Sequence, residues 1–496
     1  AKPDPRRSLG NAGDRERRVG GMFLAGAGGR LLPASVPFRW FGAAAVFHAL
    51  AWLALAAGAS QWADWHGGLG WPLAALHAVT LGTLVAFVIG SGIVLLISLT
   101  YAELAAAMPL TGGEHHYTKR ALGYTASFVA SWAVVVAYVT VCVFESAALP
   151  TALEYLFPNL AVGLLWEVAD SPVYLSMVLI GALATALMTY INYLGIRFAA
   201  FVQTVITILF ITVGLLFFFG VSLHPSPNPP VPQWTNGIPG ILSVLVMVPA
   251  LMVGFDVIPQ SAEEINLPPN RIGRLLVLSV GLAGAWYIAI SLAVGSALTF
   301  DGLDASTMPT ADAMAAVWGS SLMGQIMLLA GVGGILTSWN AFIIGGSRIL
   351  YALSASGMIP RVFSRLHPKY QTPYVSILTI GALSLLSPLF GRAVLVWLVD
   401  AGSFAIVVAY LLVVVSFLKL RRAEPSMPRP FRVPLGGLVG ALALILTFCL
   451  LLLYLPGSPA ALLWPEEWLM LLVSAAVGAV FYWRGPARRQ AAQTAK

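Results

Sequence analysis

Hydrophobic residues run through this chain in unbroken stretches of about 20, the length that carries a helix across a hydrocarbon core of roughly 30 Å at 1.5 Å per residue. Polar positions fall between the stretches rather than along one face of them, so the elements predicted are membrane spans and not amphipathic helices of a soluble core. Twelve spans are predicted, at about 40–61, 76–107, 124–148, 173–192, 198–220, 239–260, 274–299, 320–345, 372–390, 393–418, 435–455 and 464–483. The segment 224–238 is too rich in proline for a helix and reads as a connection. The span at 239–260 differs from the others because it breaks at its own centre. Pro249 removes a backbone donor, Gly254 relaxes the chain, and Asp256 puts a carboxylate at membrane depth. Freed carbonyls and an acid in hydrocarbon persist only where protein or a water-filled cavity receives them, so this interrupted span marks a transport site.

Composition agrees with the pattern. Of 496 residues, 59% are hydrophobic and 9% charged, and the mean hydropathy is +0.85; a soluble enzyme or nucleic-acid-binding domain is not built this way. The net charge of +7 is explained by where the charges lie. Basic residues occupy alternate loops, at 2–39, Lys119 with Arg120, Arg197, Arg271 with Arg274, 348–369, 419–432 and 484–496. By the positive-inside rule those loops are cytoplasmic, and so are both termini of a protein expected in the cytoplasmic (inner) membrane. The intervening loops carry Glu167, Asp170, Asp301, Asp304, Asp312, Glu466 and Glu467, with Arg392 the basic exception. Cys142 and Cys449 fall within apolar spans and indicate no disulfide framework. The expected organisation is a disordered basic cytoplasmic tail over 1–37, a transmembrane domain over 38–485 whose first part, 38–83, is atypical, and a cytoplasmic tail over 486–496. Contact of the first tail with anionic lipid is a minor expectation.

The second span closes with Tyr101-Ala102-Glu103-Leu104, followed by Pro109-Leu110-Thr111-Gly112-Gly113-Glu114 and Tyr117-Thr118-Lys119-Arg120-Ala121-Leu122-Gly123. Later come Gly254-Phe255-Asp256 with Ala262-Glu263-Glu264-Ile265-Asn266, then Ser347-Arg348-Ile349-Leu350-Tyr351-Ala352-Leu353, then Gly357-Met358-Ile359-Pro360 with Pro373. In this order these stretches resemble the amino acid, polyamine and organocation permeases over about 84–485. The resemblance implies an all-α membrane protein of about 12 helices with a five-plus-five inverted-repeat core, two further helices and alternating access. It also implies a first helix unwound at Gly-Ser-Gly-Ile some forty residues before the Tyr-Ala-Glu-Leu run. Here Gly90-Ser91-Gly92-Ile93 lies only about eight residues before Tyr101, inside the second span, and reads as small-residue packing. Residues 36–83 carry His48 and His77 and faintly resemble haem-associated membrane proteins of the nitric-oxide-response type. Two such histidines would ligate a haem, although membrane histidines are commonly internally bonded packing residues.

The candidate substrate site is Met252, Val253, Gly254, Phe255 and Asp256, with Glu145 as the second deep acid. Asp256 would neutralise an ammonium group, carry a proton, or simply cap the broken helix. Asp400 reads as structural, and Ala250 falls where many relatives place a bulky gating aromatic. Glu103, Glu263, Glu264 and Arg271 are candidates for a gate at the cytoplasmic mouth, with a solvated loop the alternative for the last three. Gly334, Thr337 and Ser338 resemble the sodium-site segment of sodium-using relatives, while hydroxyls in membrane helices also bond their own carbonyls. Some proton-coupled relatives fill that site with a lysine, and the matching position here is Phe210. Sodium, proton and uncoupled exchange all stay open. The expected partners are membrane lipid and a small amino acid or amine, an alkanolamine included, with no resident cofactor or metal and no covalent chemistry. A haem-linked sensor and a non-transporting receptor on a permease scaffold are the rival readings.

Overall fold

The computed structural model describes residues 81–485 apart from 170, 225–226, 228–236 and 393. The expected first span, the basic tail, the C-terminal tail, His48 and His77 lie outside the described residues. Elements are numbered from the first described helix: α1 Leu81–Ala107, α2 Glu114–Leu122, α3 Tyr124–Leu156, α4 Leu175–Leu194, α5 Ile196–Leu223, α6 Gly237–Leu251 and α7 Val257–Gln260. They continue with α8 Pro269–Ala297, α9 Phe300–Ala305, α10 Pro309–Trp318, α11 Ser321–Ala355, α12 Tyr374–Ser384, α13 Val394–Ala423, α14 Gly436–Leu453 and α15 Glu466–Arg484. Among the described residues nine helices are long and apolar enough to cross a membrane, and Gly237–Leu251 and Tyr374–Phe390 are shorter apolar segments. These eleven coincide with the predicted spans after the first. Among the described residues the fold is all-helical save for one antiparallel hairpin, β1 Leu164–Val168 with β2 Ser171–Tyr174.

The helices are apolar around their whole circumference, so lipid and protein faces are separated by packing and not by polarity. On α4, Leu175, Leu179, Leu183 and Leu187 recur every fourth position and are all exposed, which makes them a lipid-facing stripe on a membrane helix. The interior forms where α1 packs on α6 and α8, and α3 on α11 and α13. Close approach depends on small residues. A Cβ at Gly90 of α1 would lie 2.7 Å from Val248 of α6, and one at Gly284 of α8 would lie 2.8 Å from Ser91. The Gly90-Ser91 pair is therefore a packing surface in an uninterrupted helix.

The connections hold elements that hydropathy did not indicate. Helix α2 is a short polar helix that buries Glu114, His115, Tyr117, Thr118 and Ala121. The hairpin and the helices α9 and α10 fill the connections at the opposite end, which carries the acidic residues. Their sequences are too short and too polar to stand out beside 20-residue spans, and neighbouring helices hold them. Trp166, for example, donates from Nε1 to the Leu389 carbonyl at 2.9 Å.

Candidate functional site

The broken span is real in the structure. Helix α6 ends at Leu251, residues 252–256 form turns, and α7 resumes the direction for one turn. Pro249 cannot donate to the turn before it, and two tyrosines from other helices serve carbonyls in this region. Tyr454 of α14 donates to the Val246 carbonyl at 2.5 Å, and Tyr287 of α8 donates to the Leu251 carbonyl at 2.8 Å. Gly254 has φ +124°, which an L side chain rarely adopts, and its amide donates to Asp256 Oδ1 at 2.8 Å. One carboxylate oxygen thus holds the turn that bears it. The other, Oδ2, is buried, and the Tyr138 hydroxyl stands beside the carboxyl group.

Around the break stand aromatic side chains from four elements. Phe255 meets Tyr101 of α1 edge-on with ring centroids 5.4 Å apart and Tyr410 of α13 at 5.6 Å. Tyr138 of α3 lies beside Asp256 and meets Phe342 of α11 edge-on at 5.2 Å. The hydroxyls of Tyr101, Tyr138 and Tyr410 are buried, that of Tyr101 beside Glu114 and that of Tyr138 beside Asp256. Met252, Phe255 and Asp256 are buried, Val253 and Gly254 half-buried. The five predicted residues of the break lie at one turn with Tyr101, Tyr138 and Tyr410 around it, and Tyr138 and Tyr410 carry no sequence signal of their own.

Glu145 approaches from α3. Ser338 of α11 donates its hydroxyl to Glu145 Oε1, while Oε2 is buried without a partner among the described residues. Tyr287, which serves the Leu251 carbonyl, also lies within electrostatic reach of Glu145. Thr337 donates to the Gly334 carbonyl of its own helix at 2.9 Å, and Ser338 also donates to Ile335 at 3.0 Å. The Phe210 ring lies against Gly334, where a Cβ would sit 3.7 Å from it. Next to this segment, Asn192 donates to Asn340 at 2.9 Å and Asn340 to Gln203 at 3.2 Å, a buried amide chain joining α4, α11 and α5.

The four gate candidates separate into two groups and one outlier. Glu103 is buried in a network at the basic end of α1: Arg421 contributes Nε at 2.8 Å and Nη2 at 2.5 Å, Arg429 Nε lies at 3.0 Å, and the Val433 amide donates at 2.8 Å. It ties α1 to the α13–α14 connection. Glu264 forms a bidentate pair with Arg348 of α11, both contacts at 2.7 Å, and Glu263 accepts from Thr111 at 3.1 Å. Arg271 is exposed, and no ion pair joins it to Glu263 or Glu264 among the described residues. It follows Pro269 at the start of α8 with its side chain exposed, so closeness in sequence does not become contact.

Glu114 is the acid that sequence reasoning left without a role. It is fully buried on α2, accepts a hydrogen bond from the Gln260 side chain of α7, and lies beside Tyr101. Burial first, and then the neighbouring Asp256 carboxyl, hold its own carboxyl well above the usual carboxylate range. The signal available was spacing: Gln260 follows Asp256 by four positions, the interval that puts two side chains on one helical face.

The comparisons with known proteins follow this geometry. The family model described as amino acid permease matches residues 39–478, a span that begins ahead of the motif resemblance at 84 and takes in the atypical first region. The chain is 28% identical over 380 residues to the branched-chain amino acid permease of Bacillus subtilis, covering 75% of this chain and 80% of the relative. It is 24% identical over 408 residues to the methylthioribose transporter of Bacillus subtilis, covering 80% and 84% respectively. It is also 26% identical over 376 residues to the aspartate-proton symporter of the same organism, covering 73% and 70%. A multi-pass helical bundle, a span broken at a buried acid and a family match over most of the chain agree: the protein belongs to the amino acid permease family, within the amino acid, polyamine and organocation superfamily, and is a membrane transport protein.

Proposed function

We propose that this protein carries an amino acid across the cytoplasmic membrane by alternating access, coupled to protons, with both termini in the cytoplasm. The observation that carries the reading is the break at Met252–Asp256, where the helix gives way to turns and a fully buried carboxyl group stands at their end. The substrate ammonium binds against the carbonyls around Met252 and Val253, with Phe255, Tyr101 and Tyr410 as the aromatic wall and Asp256 as charge partner. A cation over aromatic faces beside a carboxylate is held by charge and by the ring quadrupoles together. Glu145 is the second acid of the site. The Glu264–Arg348 pair closes it on the cytoplasmic side, while Glu103 serves as a fixed anchor in its arginine network.

One comparison favours protons over sodium: a relative is named as an aspartate-proton symporter.

The test is uptake into proteoliposomes of L-leucine, L-aspartate, ethanolamine and methylthioribose, with an imposed pH gradient and with sodium replaced by choline. Accumulation of at least one substrate that depends on the pH gradient and is indifferent to sodium is expected. Absence of uptake and exchange across the whole panel would defeat the transport reading, and a strict sodium requirement would defeat the proton assignment.

A further inference from the structure

We propose that Glu114 and Asp256 form one carboxyl pair that holds a single exchangeable proton beside the break, with Gln260 fixing Glu114 in place. That this proton accompanies substrate rests on the permease reading; the pair itself does not.

Both acids are fully buried on different elements, with the Tyr101 hydroxyl beside Glu114 and the Tyr138 hydroxyl beside Asp256. Among the described residues their surroundings contain hydroxyls and an amide but no cation. Tyr101 of α1, Tyr117 of α2, Tyr138 of α3 and Tyr410 of α13 all lie within electrostatic reach of Glu114, and the first, third and fourth also of Asp256. Gln260 of α7 spends its amide N–H on Glu114 and keeps its own Oε1 buried and unpartnered among the described residues. The nearby basic groups are engaged elsewhere. Arg348 pairs with Glu264, His115 bonds Ser127 at 3.0 Å and Ser356 at 2.7 Å, and Lys119 sits on the exposed face of α2. Two buried carboxylates that feel each other's charge, with no cation beside them among the described residues, do not both ionise, so one proton is retained between them.

The placement also links proton occupancy to the closed basic end. The Gly112 amide donates to the Gln260 carbonyl at 3.3 Å, and a Cβ at Gly113 would lie 3.0 Å from Pro259, so the start of α2 is seated directly on α7. When the proton leaves, an O–H bond in the pair breaks, the proton passes to water on the open side, and two like charges remain across the α2–α7 contact. Repulsion there loosens the seat that covers the break.

The experiment is pH-difference infrared spectroscopy on the purified full-length protein without substrate, following the protonated-carboxyl stretch. One band is expected whose midpoint falls by about one pH unit or more in Glu114→Gln and in Asp256→Asn, because each change removes the like-charge neighbour. The band is expected to be absent in the double variant. A midpoint unchanged in either single variant overturns the pair. Gln260→Leu keeps both carboxyls and is expected to shift the band by removing its amide donor; an unshifted band overturns the placement by Gln260. L-leucine uptake by the same preparations separates the two readings: shifted midpoints with no uptake of any panel substrate leave the proton pair standing and end the transport reading.

Discussion

Gly254 and Glu103 illustrate two ways a single residue sets this site. A methyl group at Gly254 would meet Phe342 Cζ at an ordinary 3.5 Å, so the obstacle to substitution is the backbone, at φ +124°. Gly254→Ala is expected to destabilise the turn by about 1–2 kcal/mol and lower uptake, whereas Gly92→Ala, facing open space, changes neither. Thermal unfolding and initial uptake rates measure both. Glu103 is 1% exposed and holds Arg421 and Arg429, whose side chains are 19% and 9% exposed. Removing one member of a buried ionic network leaves the others uncompensated, so Glu103→Gln is expected to lose about 3 kcal/mol in a denaturation series. An effect below 1 kcal/mol, roughly the value of a surface pair, would show the network to be solvated.

The short segment after the break is held by three neighbours and has little structure of its own. Helix α7 and the turn to Glu264 are seated on α2 through Gln260, on Thr111 through Glu263 and on α11 through Arg348. With Glu264 37% exposed, the pair with Arg348 is worth about 1 kcal/mol and contributes mainly register. Arg348→Ala is expected to free the segment, so that a cysteine placed at Ser261 in a Cys449→Ser background becomes reactive toward a membrane-impermeant thiol reagent. Reversing both charges, Arg348→Glu with Glu264→Arg, is expected to restore protection. If the cysteine at position 261 stays protected in Arg348→Ala, the clasp lies in the α2 contacts instead.

Two neighbours on α2 give the whole protein opposed responses to pH. Burial, with His116 and Lys119 adding to it, lowers His115 well below its ordinary 6.5, so its contribution is lost as pH falls below that value. Glu114 is raised well above its ordinary 4.5, so its contribution is complete below that value and is lost as pH rises toward the folded value. Between the two ordinary values the slopes oppose each other, and stability is expected to form a plateau there and decline on either side. Thermal unfolding across pH should show the alkaline decline flattened in Glu114→Gln and the acid decline flattened in His115→Gln. A profile that either variant leaves unchanged would remove that residue from the explanation.

Eleven spans and the broken helix were legible in the chain because transfer of apolar surface out of water is a local quantity, summed over consecutive residues. Asp256 was legible for the same reason, since a carboxylate inside an apolar run is conspicuous wherever its partners lie. The four motifs also sufficed to place the chain in its family. Partnership was different. Glu264 has Arg271 seven positions away and Arg348 eighty-four away, and the distant arginine forms the pair. Glu114 reads as a loop acid until α2 docks on α7 and buries it against Gln260. Charge pairing and burial depend on which surfaces meet in space, and that followed from glycine-mediated helix contacts such as Gly90 on Val248 and from the seat of α2. The amino-acid order determined that this chain crosses a membrane and where its helix breaks; helix packing determined which acids share the space beside that break, because only contact removes water from them.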